Sequence, residues 1–363
     1  MIDILFLCPI KANSGISSWG NEYLASFPND EFRLHHIEIG PDKDFTHIKG
    51  LTRLWYGIKA FIRIQAEVKK AIRNNTQIRI MHTTTSGSIG SLRDYKIVMI
   101  CKRQGLKSIL HCRFGNVKEL YEQKWIGYYF RKSLLDYDQI WVLDERSASF
   151  LRSKPELSSK IFLTPNSIDV PPLYNIQPKT YNKIGFIGNL IPTKGLFELV
   201  EAVINSSTDT ELHIAGEGRQ EIVERIKLMA GKVFGRKIIF HGRLTNSKAI
   251  ELIEELDIVA LPTYYECEAF PISILEAMSR GKMVITCRRA AIPDILTSQD
   301  GTTCGILIPE KSSKAIADAI RWCQINSAKA DILCQKAYSK VNKSYSKDVV
   351  YETYRNNYRL LLS

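Results

Sequence analysis

Apolar positions along this chain follow two alternating rhythms. Short runs rich in β-branched residues are separated by longer stretches in which apolar residues return every three or four positions. The short runs predict strands over Ile2–Leu7, Arg33–Ile39, Gln77–Met81, Ser108–His111, Gln139–Leu143 and Ile161–Thr164. They predict further strands over Lys183–Ile187, Glu211–Ala215, Lys237–Phe240, Asp257–Ala260 and Met283–Thr286. Helical patterns fill most of the gaps, which reads as repeated βαβ units and parallel sheets. The stretch Asp169–Thr180 carries three prolines and no periodicity, and the pattern restarts after it with a strand and Gly188. An α/β chain of two Rossmann-like domains follows, residues 1–172 and 173–345, with a cleft between them. A helical tail over 346–363, rich in Tyr and Leu, is expected to cross back to the first domain. Two cores suit 363 residues, since single cores stop growing at roughly 250–300 residues.

Composition narrows the setting. Met1–Cys8 lacks the basic region and cleavage site of a signal peptide. No apolar run reaches the roughly 20 residues of a membrane span. Eight cysteines are scattered without disulfide or zinc spacing, which fits a reducing compartment, so the expected location is cytoplasmic. The net charge of +12 is uneven: residues 51–132 hold 17 Lys and Arg against 4 Asp and Glu. Such a patch meets nucleic acid or an anionic membrane surface. No nucleic-acid module is recognisable, so a nucleic-acid partner is not expected. Residues 51–74 read as an amphipathic helix whose apolar Leu54, Ile58, Phe61, Ile62 and Val68 are expected to pack on the domain's own sheet. Arg53, Lys59, Arg63, Lys69, Lys70 and Arg73, with Trp55 and Tyr56, form a rim suited to anionic lipid. Trp125–Lys132 is a second basic, aromatic stretch.

In open α/β sheets, ligands bind beyond the carboxyl ends of the strands. The segment Glu266-Cys-Glu-Ala-Phe-Pro-Ile-Ser-Ile-Leu-Glu276, continuing to Gly281, follows one such end. Pro271 suits a helix's first turn and Gly281 its stop. Glu268 then lies in the loop before the helix and Glu276 within it. A helix N-terminus, here at Ile272, is a natural seat for phosphate. Two carboxylates flanking it can accept hydrogen bonds from vicinal hydroxyls.

The Glu268–Glu276 spacing, with Phe270, Pro271 and Leu-Glu-Ala-Met-Ser-Arg-Gly281, resembles the E-x7-E signature of family 4 glycosyltransferases, which are retaining and of GT-B fold. Other stations follow in the family's order. Ser14-Gly15 resembles the glycine loop near the donor diphosphate. His111 resembles the histidine facing the reaction centre. Thr164-Pro-Asn166-Ser-Ile-Asp169 resembles a structural turn near the interdomain linker. Gly188-Asn189-Leu190 with Lys194-Gly195 resembles the stretch whose arginine and lysine hold the diphosphate, but Asn189 replaces the arginine. Arg113, Arg219 and Arg243 are candidates to supply the missing charge. Gly216-Glu-Gly218 resembles a phosphate-side turn, and Gly242-Arg243-Leu244 the loop beside the base. Pro293-Asp294-Ile295 and Gly305–Ile308 match two later stations.

The resemblance implies a glycosyltransferase that moves a sugar from a nucleotide-diphosphate sugar to a saccharide acceptor. Glu268, His111 and Lys194 would be catalytic. Gly15, Asn189, Lys194, Gly216, Arg243, Leu244, Glu268, Phe270, Pro271, Ile272 and Glu276 would bind the donor. It implies no cofactor beyond that co-substrate and no metal. The basic, aromatic first domain suggests a lipid-linked acceptor on the cytoplasmic membrane face, and such enzymes commonly serve surface polysaccharide synthesis. Two alternatives stay open: another nucleotide-sugar enzyme on the same fold, such as an epimerase, and a non-catalytic nucleotide-binding paralogue, which Asn189 motivates.

Overall fold

The structure, a computed structural model, describes residues 1–12, 14–40, 50–88, 90–172, 180–206 and 209–363, with backbone only at 50–54. Most of the predicted linker, residues 173–179, and the side chains of Arg53 and Leu54 lie outside the described residues. The chain divides into two compact units. Unit 1 comprises Met1–Thr164 and Tyr351–Ser363; unit 2 comprises Pro165–Val350. The expected divisions were at 172/173 and 345/346.

Unit 1 is a six-stranded parallel sheet of β1 (Ile2–Cys8), β2 (Phe32–Glu38), β3 (Ile78–Thr85), β4 (Lys107–Cys112), β5 (Gln139–Val142) and β6 (Ile161–Leu163), in the order β2-β1-β3-β4-β5-β6. Strands β1, β4 and β5 are buried almost end to end, as expected where helices cover both faces of a parallel sheet. The helix Gly50–Asn74 matches the predicted span, but only part of the predicted apolar face is buried. Ile64 and Val68 are buried, whereas Ile58 and Ile62 are 49% and 60% exposed. Ile64 and Val68 stand four residues apart on one face. Ile58 and Ile62 form a second i, i+4 pair, six residues out of step and so turned well away from it.

Unit 2 is a second six-stranded parallel sheet of β7 (Lys183–Ile187), β8 (Glu211–Ala215), β9 (Ile238–Gly242), β10 (Ile258–Leu261), β11 (Met283–Cys287) and β12 (Ile306–Ile308). Its order is β12-β11-β10-β7-β8-β9. Strands 7, 8 and 9 step one way across the sheet and 10, 11 and 12 the other, so the winding reverses between β7 and β10. At such a switch point the loops leaving neighbouring strands part and leave room for a ligand. Among the described residues, no helix is long and apolar enough to cross a membrane.

The candidate donor site and a buried relay

Two loops of unit 2 meet at the switch point. After β7 the chain passes Gly188 and Asn189 into a 3-10 turn, Pro192–Lys194, closed by Gly195 at φ +77°. A Cβ at Gly195 would collide with the carbonyl oxygen of Pro262, so only glycine allows this turn to reach the loop after β10. The Tyr264 amide donates to the Thr193 carbonyl at 2.8 Å and joins the loops. Lys194 Nζ then lies 3.2 Å from Glu268 Oε2, with both side chains largely enclosed. Thr263, fully buried, also meets that oxygen, its Oγ1 donating at 3.3 Å.

The loop ends at Pro271, which caps the helix Ile272–Ser279 from just outside its first turn. Phe270 is buried, stacked edge-on against Tyr345, and its carbonyl accepts from the Asn166 side chain at 2.8 Å. The Pro-Asn turn thus holds the loop that leads into the helix. Glu276 sits within the helix; burial raises its carboxyl above the usual range, and Arg280 partly offsets this. Asn189 is exposed. Gly216, after β8, is packed so closely on Gly188 that a Cβ would strike the Gly188 carbonyl oxygen. Arg243 Nη1 is 3.1 Å from Glu217 Oε2 on the surface, and Leu244 beside it is half-buried. The structure therefore brings Lys194 to Glu268 where β7 and β10 adjoin, with Pro271, Ile272 and Glu276 following on the same segment, and with Asn189, Gly216 and Arg243 at the carboxyl ends of β7, β8 and β9.

Gly15 and His111 belong to unit 1. Gly15 opens the helix Gly15–Ser26, and Ser14 caps it by accepting from the Ser17 amide at 3.2 Å. Ser14 therefore has a capping task. The preceding loop is held by Glu38, whose Oε2 accepts from the amides of Ile10 and Lys11 at 3.0 and 3.2 Å.

His111 is the penultimate residue of β4, one short of the strand's end, and is fully buried. Arg113 Nη1 lies 3.3 Å from its Nε2, and His82 Nε2 lies 3.1 Å from its Nδ1. The Tyr358 hydroxyl is 2.6 Å from His82 Nδ1, and the Tyr23 hydroxyl 2.9 Å from that of Tyr358. A guanidinium only donates, which sets the direction of the whole row. His111 Nε2 accepts, its Nδ1–H donates to His82, and His82 Nδ1–H donates to Tyr358. Burial, with Arg113 nearby, holds His82 down to about 3 and His111 well below its ordinary range, so both rings stay neutral. His111 is thus an internal link of unit 1, with no surface offered to a ligand in this structure.

Neither Thr263 nor Glu38 carries a sequence motif. The signal for Thr263 was its place, a hydroxyl residue between the end of β10 and Glu268.

Residues 175–340 match the family model of glycosyl transferases group 1. Over 151 residues the chain is 29% identical to an uncharacterised glycosyltransferase of Methanocaldococcus jannaschii, a match covering 40% of this chain and 37% of that protein. Over 161 residues it is 24% identical to the D-rhamnosyltransferase WbpZ of Pseudomonas aeruginosa, covering 44% and 41%. The chain thus matches well under half the length of these relatives. In structure it resembles Anabaena HepE crystallised with UDP, at TM-score 0.74 and 14% identity, over 99% of this chain and 100% of that one. The fold is the two-Rossmann GT-B fold.

Proposed function

We propose that the protein is a retaining glycosyltransferase that moves a sugar from a nucleotide-diphosphate sugar to a saccharide acceptor. The observation that carries this reading is the Lys194–Glu268 contact at the switch point of unit 2, beside a helix N-terminus that leads to Glu276. Lys194 and the helix amides would offset the charge that grows on the departing diphosphate. Glu276 would hold the ribose hydroxyls, and Glu268 those of the donor sugar near the anomeric carbon. The Gly15 backbone would approach the diphosphate. The acceptor would attack from the face the diphosphate leaves, with a phosphate oxygen taking the acceptor's proton. The match to group 1 glycosyl transferases and the UDP in the HepE structure support a nucleotide-sugar donor.

The acceptor is proposed to be a lipid-linked saccharide on the cytoplasmic face of a membrane, as in surface polysaccharide synthesis. Trp55, Ile58, Ile62 and Trp125 are exposed on unit 1, the last by 87%, and Lys59 Nζ lies 3.6 Å over the Trp55 ring. Basic and aromatic residues together suit an anionic interface. Binding to anionic liposomes at low salt, weakened by Trp125→Ala, is the expected result; indifference to liposomes would remove this part of the reading.

The donor site is tested by thermal shift with UDP, GDP, ADP, TDP and CMP, since a ligand of the folded state raises its stability with occupancy. A shift with one nucleotide supports the transferase and names the base. No shift at millimolar ligand favours the second reading, a non-catalytic paralogue, which the uncharged Asn189 motivates.

A further inference from the structure

We propose that Thr263 is a positioning residue that keeps the Glu268 carboxylate aimed at the donor sugar once Lys194 has turned to the diphosphate; this rests on the donor-site reading above. The Tyr265 amide lies 3.2 Å from Thr263 Oγ1 and can only donate, so the hydroxyl accepts there. The hydroxyl's single proton is left for Glu268 Oε2, 3.3 Å away. The Thr263 amide in turn donates to the Leu261 carbonyl at 2.7 Å, and Thr286 Oγ1 donates to the same carbonyl at 2.6 Å. Thr263 is therefore fixed to the end of β10, whose last carbonyl β11 also holds.

Glu268 Oε2 thus has two holders on different supports, a charged one on the turn after β7 and a neutral one fixed to β10. A diphosphate competes for the charged holder, because Lys194 is the cation it would draw. It does not compete for a buried, neutral hydroxyl. With Oε2 still held by Thr263, Oε1 keeps the direction from which it accepts a sugar hydroxyl. Since Thr263 brings no charge, its loss should leave bare nucleotide binding alone and reach only the part of affinity and turnover that depends on the sugar.

The test is calorimetric titration of the full chain, wild type, Thr263→Val and Thr263→Ser. The probes are UDP, GDP, ADP and TDP, then the glucose, galactose, mannose and N-acetylglucosamine conjugates of whichever nucleotide binds. Expected for Thr263→Val are a nucleotide Kd within about twofold of wild type and a sugar-conjugate affinity lower by about tenfold, the scale of one hydrogen bond to a charged group. Thr263→Ser should restore the conjugate to within about threefold. Equal losses for nucleotide and conjugate would reduce Thr263 to a loop support, and unchanged binding of both would remove it altogether. If wild type binds no nucleotide, the donor-site reading falls and takes this inference with it. If wild type binds a nucleotide but gains nothing from any conjugate, the sugar-holding role of Glu268 falls instead.

Discussion

Lys194 Nζ and Glu268 Oε2 stand 3.2 Å apart, although the two residues come from loops after strands far apart in sequence. They meet because β7 and β10 are neighbours where the sheet reverses its winding.

Removing each carboxylate should have a different effect. Glu276→Ala should weaken donor binding by roughly 10- to 100-fold, the value of hydrogen bonds to a charged group. Glu268→Ala should lower turnover more than binding. Steady-state kinetics with saturating acceptor separates the two, and wild-type constants for both variants would sink the assignment.

Asn189 offers the converse experiment. It is exposed, so Asn189→Arg should fold with an unchanged Tm. A guanidinium there can pair with the diphosphate in two-pronged fashion, and the nucleotide Kd should fall about tenfold. An unchanged Kd would mean that another residue already supplies that charge.

Two glycines should part company. Gly216→Ala forces a methyl onto the Gly188 carbonyl and should cost about 2–3 kcal/mol in urea unfolding. Gly15→Ala meets no atom within 4 Å and lies in a helix, so it should leave stability unchanged or raise it by up to about 1 kcal/mol. If the Gly15 backbone approaches the diphosphate, the same variant should still lose activity.

Acid should destabilise unit 1. His82 is held down to about 3 and His111 in the same direction. A depressed folded pKa means that the unfolded state binds protons first, near pH 6.5. The stabilisation is complete above that pH and is lost as pH falls from about 6.5 towards 3. His82 should cost about 1.4 kcal/mol per pH unit in that window, and His111 should add to the loss in the same direction. Imidazole NMR should show neither ring titrating between pH 7.5 and 5, while urea midpoints fall; a ring titrating near 6.5 would contradict the relay.

The strands were legible because buried parallel strands are continuous apolar runs, and β7 and β8 fall where the pattern placed them. The Glu268–Glu276 segment was legible because Pro271 and Gly281 punctuate a helix. What the sequence hid were facts of tertiary pairing. That Ile58 and Ile62 stay exposed depends on which face of a long helix meets the sheet, and its apolar pattern allowed both. Thr263 and Glu38 matter through single hydrogen bonds across loops, which no spacing encodes. His111 stood near a strand's end, but beside its neighbour Arg113 it is surrounded by Trp19, His82 and Trp141, from other parts of the chain.

The row of donors from Arg113 ends on Tyr358 and Tyr23, and Tyr358 belongs to a segment that emerges from the ribosome after the whole of unit 2. The six strands of unit 1 are thus made first and completed last. Until Tyr351–Ser363 arrives, a nascent chain carries His82 and Phe32 without the Tyr358 ring that packs on both. Unit 2, contiguous in sequence, has no such wait, and so the order of translation and the order of completion are opposite in this protein.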